Sequence, residues 1–307
     1  MKRIGIIATA LVLAAGHSVA GHHETNAEGD QSCAKHALVI QADFSGMVMA
    51  GVAYSVCPKL DIFNVRPMIP LYDIAMASET LAYNAQTWPA GTVFVSVVDP
   101  GVGTPRKSVV LQTQNDLYFV SPDNGTLSGA AQAYGIKAVR EIDESVNRRE
   151  NTGWAHTFHG RDVYSYTGAR LAAGVIDFAG VGPLLPAEVI LLDSAVGSYT
   201  DGEFSGIVSG GIDRLGNAYF NIDRQLFEQD SPVFGEAYRV VIRNADRVVF
   251  DDTMPYSRSF GSVAMGENLL FVNSSGFVSV AINQGNFAGK YAIEAGSDWT
   301  VTLSKAP

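Results

Sequence analysis

Charge is scarce in this 307-residue chain: Asp, Glu, Lys and Arg make up 17% of it, against 47% hydrophobic residues. Basic residues are scarcer still, with 21 Lys and Arg set against 31 Asp and Glu and a formal net charge of −10. Nucleic acid is bound by a basic footprint that releases counterions, so this balance argues against that partner. Cysteine occurs only at positions 33 and 57, too few thiols for a structural zinc site. Beyond the first twenty residues no apolar run is long enough to span a bilayer. The P-loop spacing, G-x-G-x-x-G and G-x-S-x-G are all missing, which removes the common phosphate cradles and the serine-hydrolase elbow. What remains can bury a substantial core, as one large domain or two.

The N-terminus reads as an address rather than as fold. Met1-Lys2-Arg3 is a short basic start, and Ile4 to Ala15 is an apolar run the length of a signal-peptide core. Ser18-Val19-Ala20 places small residues where a signal peptidase reads, so residues 1–20 are predicted to direct export to the periplasm or beyond, with cleavage after Ala20. A retained membrane anchor is the competing reading. Losing Lys2 and Arg3 and no acid takes the charge from −10 to −12. Residues 21–36 form a polar leader, in which His22 and His23 are expected to be solvated. In an exported protein Cys33 and Cys57 could pair, and the sequence leaves that open.

From Ala37 strands and helices alternate. Residues 37–42 and 92–98 read as buried strands, with a further strand over 61–65 between them. Met47 to Val56 reads as a helix, and Asp73 should cap another that turns Ile74, Ala77, Leu81 and Ala85 to one face. Residues 109–112 and 117–120 read as a hairpin, and 161–174 as a further helix. Residues 37–190 are therefore expected to form an α/β domain with a mainly parallel sheet and flanking helices. Residues 191–203 are expected to be a linker. From Phe204 to 307, short alternating stretches punctuated by Gly, Asn and Asp predict an all-β, barrel-like domain.

Two segments carry the chemistry. Val97-Val98-Asp99-Pro100-Gly101-Val102-Gly103-Thr104-Pro105-Arg106 is answered by Thr157-Phe158-His159-Gly160-Arg161-Asp162. Each sets ionisable side chains on a glycine-flanked turn after an apolar run, where a scaffold can hold polar groups in a cleft. Plainer readings compete. Asp99 could cap its turn, Arg106 could make a surface ion pair, and His159 could be a satisfied core histidine. His156 and His159 sit three apart, but no cluster of carboxylates or histidines completes a metal site, and no metal is expected. Arg161 and Asp162 read as a structural pair or as helix-start charges rather than as catalysts.

The segments GTVFVSVVDPGVGTPR, FVSPDNGTLSG and TFHGRDVY resemble those of the S-adenosyl-L-methionine hydrolases, the hydroxide adenosyltransferase family related to fluorinase and chlorinase. Ala42-Asp43-Phe44, Pro70-Leu-Tyr-Asp-Ile74, Gly211-Ile-Asp213-Arg-Leu-Gly216-Asn217 and Asn273-Ser-Ser-Gly276 extend the resemblance from about Leu38 to Val301. It implies an N-terminal α/β domain, a C-terminal β-barrel-like domain, and a homotrimer with sites between subunits. It implies hydrolysis of S-adenosyl-L-methionine, as substrate and not cofactor, to adenosine and L-methionine, with water held by Asp99, Arg106 and His159. Asp43 would grip the ribose hydroxyls, and Phe44 belongs to the same strand-end motif. Tyr72, Phe158 and Phe260 would wall the adenosyl group. Asp213 would take the methionine ammonium, Ser274 and Ser275 its carboxylate, and Asn217 and the Gln284 backbone would face adenine. The resemblance is inexact at Ala42, Ser45, Leu215, Phe220 and Ser279. Related halogenating enzymes carry an aromatic residue in place of Asp99 and lack the histidine, so water is favoured over halide. An exported protein that binds adenosyl ligands without turnover is the alternative from another class.

Overall fold

A computed structural model describes Cys33, residues 36–193 and residues 195–306. The expected signal peptide and most of the leader lie outside the described residues. Among the described residues no helix is long and apolar enough to cross a membrane.

Strands β1 (Leu38–Ala42), β2 (Ile62–Asn64), β3 (Val93–Val97), β4 (Ser108–Thr113), β5 (Tyr118–Pro122), β6 (Ile136–Glu141) and β7 (Leu184–Leu185) form one sheet in the order β2-β1-β3-β5-β4-β6-β7. The pairs β1–β2, β1–β3 and β3–β5 are parallel, and the β4–β5, β4–β6 and β6–β7 pairs are antiparallel. The sheet is thus parallel through its centre and mixed toward one edge. Every residue of β1 and β3 is buried, as expected of strands covered on both faces. Helix α1 (Met47–Val56) and helix α2 (Ile74–Ala85) follow β1 and β2. Asp73 accepts a hydrogen bond from the Met76 N–H at 2.8 Å, and Ala77, Leu81 and Ala85 are buried beneath it. The capped amphipathic reading therefore holds at the cap and at Ala77, Leu81 and Ala85, while Ile74 in the first turn is half-buried. Helix α3 (Ser128–Tyr134) lies against α2, and helix α4 (Glu144–Asn147) precedes a π-helical turn, Gly160–Tyr164, which runs into helix α5 (Ser165–Ala172). The expected helix over 161–174 thus begins with a widened turn, and that turn follows His159 directly.

The second sheet is antiparallel. It comprises β8 (Ser198–Thr200), β9 (Glu203–Ile212), β10 (Ala218–Asp223), β11 (Ala237–Asn244), β12 (Arg247–Pro255), β13 (Asn268–Val272), β14 (Phe277–Ile282) and β15 (Gly296–Lys305). The order is β12-β11-β15-β9-β10-β14-β13, with β8 on β9, and a bridge between Tyr256 and Leu270 draws the two ends nearly closed. Phe204, Phe220, Phe227 and Tyr238 fill its interior. Strand β8 falls within the span read as linker.

Cys33 and Cys57 form a disulfide across a sequence separation of 24, with Cα atoms 6.0 Å apart. It ties the chain ahead of β1 to the end of α1. Closing a loop of that length constrains the unfolded chain by about 3 kcal/mol. Reduction is therefore expected to lower the thermal midpoint by several degrees, measured by calorimetry with and without reductant. Alkylation of both cysteines before any reduction would show that the bond is not present.

Candidate active site

The site begins where β1 and β3 end. These neighbours run parallel with Ala42 opposite Val97, so the residues that follow, Asp43 and Asp99, emerge at the same edge of the sheet. That edge, past the C-terminal ends of parallel strands, is where open α/β sheets place their ligands. After Asp99 the chain turns sharply, with Val102 N–H donating to the Asp99 carbonyl and Thr104 N–H to that of Gly101. Gly103 takes φ +80°, and a Cβ there would come within 2.9 Å of the His156 carbonyl oxygen. The first chemical segment therefore packs against the residue just ahead of the second through a position that only glycine suits.

Arg106 is the hub. Its Nε donates to Asp99 Oδ1 at 2.9 Å and its Nη2 to Asp99 Oδ2 at 2.5 Å, a two-pronged pair. Nη1 donates to Ser108 Oγ at 3.0 Å. Ser108 Oγ lies 3.1 Å from the Tyr164 hydroxyl, which donates to Asp99 Oδ2 at 3.4 Å. Asp99, Arg106, Ser108 and Tyr164 so close a ring of hydrogen bonds. Asp99 and Arg106 are almost buried, at 6% and 11% side-chain exposure, which removes the reading of Arg106 as a surface ion pair. Arg106 Nη2 also reaches His159 Nδ1 at 3.1 Å. The three residues singled out in the sequence are one connected cluster.

Burial opposes charge on Arg106, but the Asp99 carboxylate outweighs it and holds the guanidinium above its usual range. The Tyr164 hydroxyl is pushed far up, first by burial and then by the Asp99 charge, and stays protonated. His159 is 7% exposed. Its pKa is lowered, first by burial and further by two guanidinium groups, against opposition from Glu144 and Asp99. The imidazole is thus neutral near pH 7.

The second guanidinium belongs to Arg148, whose Nη2 stands 3.2 Å from His159 Nε2. Arg148 is in turn held by Glu144, four residues earlier, through its Nε at 3.1 Å and through Nη2. Ser108, Tyr164, Glu144 and Arg148 were not foreseen. The only trace of the last two in the sequence is their i, i+4 spacing. Arg161 and Asp162 form the structural pair expected of them: Asp162 is wholly buried and accepts from Arg161 Nε and Nη2 at 2.8 and 2.7 Å.

The remaining candidates fall into two groups. Asp43 Oδ2 accepts the Tyr72 N–H at 3.0 Å. Phe44 meets Phe158 edge-on with ring centroids 5.4 Å apart, and a Cβ on Gly160 would come within 3.0 Å of the Phe44 ring. These four residues share the strand-end edge with the Arg106 cluster, and Tyr72 presents an exposed ring. The second group lies on the barrel. Asp213 accepts from the N–H groups of Leu215 and Asn217, from Asn217 Nδ2 and from the Tyr219 hydroxyl. Burial alone would raise its pKa, but these donors together hold it low. Ala288 N–H donates to the Gly216 carbonyl, which brings the turn after Gln284 beside the 213–217 turn. Ser275 N–H donates to Asn273 Oδ1, and Phe260 packs on Phe271 at 5.1 Å. Ser274 lines a cleft of about 290 Å³ with Tyr83, Asn84, Gln86 and Thr87 at the end of α2. Among the described residues no hydrogen bond, ion pair or ring contact joins the barrel group to Asp99, Arg106 or His159.

The model of the SAM hydroxide adenosyltransferase N-terminal domain matches residues 39–182, and that of the C-terminal domain matches residues 211–300. The chain belongs to the SAM hydroxide adenosyltransferase family. It is 32% identical over 260 residues to an (R)-S-adenosyl-L-methionine hydrolase of Salinispora arenicola, covering 82% of this chain and 90% of that one. It is 23% identical over 287 residues to a fluorinase of Actinopolyspora mzabensis, covering 83% and 91%. A crystal structure of an uncharacterized conserved protein from Thermotoga maritima superposes with a TM-score of 0.79 at 30% identity, covering 87% of this chain and all of that one. Within the hydroxide adenosyltransferase frame, Asp43, Phe44, Tyr72, Asp99, Arg106, Phe158 and His159 fall in the first domain match. The barrel candidates fall in the second.

Proposed function

We propose that this protein hydrolyses S-adenosyl-L-methionine to adenosine and L-methionine, with water positioned by Arg106 and His159. The observation that carries the reading is the clamp of Asp99 on Arg106, which aims one guanidinium N–H at a neutral imidazole. In the reaction a water oxygen bonds to the 5′ carbon as the carbon–sulfur bond breaks. The bonding pair returns to sulfur, giving the neutral thioether of methionine. Sulfonium is already a good leaving group, so the chemical task is to hold and polarise the water. Arg106 supplies positive charge where negative charge builds on the water. His159, uncharged, keeps one lone pair that would take the proton the water sheds by giving up the arginine N–H it accepts. Both oxygens of Asp99 are occupied by Arg106, which gives Asp99 an orienting role rather than that of a base.

Asp43 would receive the ribose hydroxyls, and Phe44, Phe158 and Tyr72 would face the adenosyl group, where aromatic faces attract a sulfonium. The barrel residues Asp213, Asn217, Phe260, Ser274, Ser275 and Gln284 would complete the site from a neighbouring subunit of a homotrimer. The separation of the two groups within one chain and the exposure of the Tyr72 ring support that arrangement. The protein would act outside the cytosol.

Incubating the protein with S-adenosyl-L-methionine, with and without halide, and resolving the products by chromatography tests the activity. Adenosine and methionine are expected at a rate that halide does not change. Tight binding with no product would identify a binding protein, and a halogenated nucleoside would identify a halogenase. Subcellular fractionation tests the location, and recovery of the uncleaved chain from cytosol would refute export.

A further inference from the structure

His159 is held by two arginines in near-mirror chemistry. On one side Asp99 clamps Arg106, and its remaining Nη2 hydrogen is directed at Nδ1, 3.1 Å away. On the other side Glu144 clamps Arg148, and its Nη2 is directed at Nε2, 3.2 Å away. Arg148 is further fixed by Nη1, which donates to the Ala155 carbonyl at 3.2 Å. Its side chain is 12% exposed, so it is not a free surface group that happens to lie nearby.

A guanidinium only donates hydrogen bonds. A neutral imidazole has one lone pair and one N–H. It accepts from one arginine and turns its N–H on the other, whichever tautomer it adopts. An imidazolium has no lone pair. It would set an N–H against a guanidinium on both sides and add a third positive charge between them.

We propose that Arg148, anchored by Glu144, is a positioning residue that keeps His159 in its neutral form and so ready to take the proton shed by the attacking water. The catalytic consequence rests on the hydrolase reading given above. The charged and titratable groups around the ring are Arg106 and Asp99 from the loop before β4, Arg148 and Glu144 from α4 and its end, and Tyr164 from the π-helical turn, with ring centroids 6.4 Å apart. The cations and carboxylates are equal in number. Burial is the largest influence against charge on the ring, and together with the two cations that touch it outweighs the carboxylates behind them, of which Glu144 opposes most. The proton received during turnover is accordingly short-lived on the ring and passes to solvent.

The test pairs Arg148→Gln with Arg148→Lys. Glutamine removes the charge and can accept from Nε2–H through its amide oxygen, whereas lysine keeps the charge. The quantities measured are the pH dependence of kcat and the titration of the His159 ring by NMR in protein without substrate. In Arg148→Gln the acid limb of the pH profile is expected to move up by about one unit, a loss of up to about tenfold in relative rate on the acid side. The ring titration should move with it, and Arg148→Lys should leave both near their wild-type positions. A wild-type limb and ring titration in Arg148→Gln would overturn the proposal. If Arg148→Gln does not fold, the wild-type ring decides: neutral at pH 6 agrees, protonated at pH 6 refutes. Wild-type protein that turns over no S-adenosyl-L-methionine would end the hydrolase reading and leave the ring titration to judge the clamp by itself.

Discussion

Arg106→Met is expected to abolish turnover and to cost about 3–5 kcal/mol of stability, because it leaves a buried carboxylate without its partner. The side chains of Asp99 and Arg106 are 6% and 11% exposed, so water cannot replace the lost guanidinium well. Two of the four links in the hydrogen-bonded ring run through Arg106, and Asp99 would be left with only the Tyr164 hydroxyl at 3.4 Å. Denaturant unfolding at pH 7 with and without the substitution measures the cost. A loss below about 1 kcal/mol is the behaviour of an exposed pair and would contradict the buried clamp. The same reasoning applies to Asp99→Ala. Its effect on turnover cannot be read apart from its effect on folding, since Arg106 would then be the buried, unpaired charge. A double-mutant cycle with Asp99→Asn and Arg106→Met separates the two, and a coupling energy well above 1 kcal/mol is expected from contacts this direct.

The parts of the fold that were legible in the sequence are those in which one local rule decides. Asp73 sits one residue ahead of an apolar stripe, and capping and periodicity agree, so α2 could be read nearly to its ends. Strands β1 and β3 are short apolar runs closed by Asp43 and Asp99, and burial on both faces makes such runs unmistakable. The antiparallel edge of the first sheet was less legible. Strand β6 mixes Lys137, Arg140 and Glu141 with its apolar residues, a half-exposed pattern with no clear period. Helix α4 has one turn and no stripe to show. In the site, Asp99, Arg106 and His159 stood out because they flank glycines in turns. Ser108 and Tyr164 did not, because they lie inside a strand and a helical turn, where a hydroxyl reads as packing until the fold brings it to Asp99. Arg148 is invisible for another reason. Its i, i+4 partner Glu144 makes it resemble an ordinary helix-surface pair, and only the tertiary approach of His159 gives it a different meaning.

His159→Ala is expected to lower turnover by about two to four orders of magnitude, the range for loss of a positioned acid–base group, while the fold is retained. The contrast with Arg106→Met follows from what each deletion leaves behind. Without the imidazole, Arg106 keeps Asp99 and Ser108, and Arg148 keeps Glu144 and the Ala155 carbonyl. No buried charge loses its counter-charge, and the space opened is flanked by donors that water can satisfy. Stability near pH 7 should therefore change by no more than about 1–2 kcal/mol. Below that pH the order is expected to reverse. The folded-state pKa of His159 is lowered by burial and by the flanking guanidinium groups, so as pH falls through about 6.5 the unfolded chain takes up a proton that the folded chain refuses. Wild-type protein loses stability across that window, from the ordinary histidine pKa down to the depressed one, and His159→Ala does not. Unfolding free energies measured at pH 7.5 and pH 5 should converge or cross between the two proteins. If the wild type instead gains stability relative to the alanine variant as pH falls, His159 is protonated in the fold and its two arginines are not what hold it.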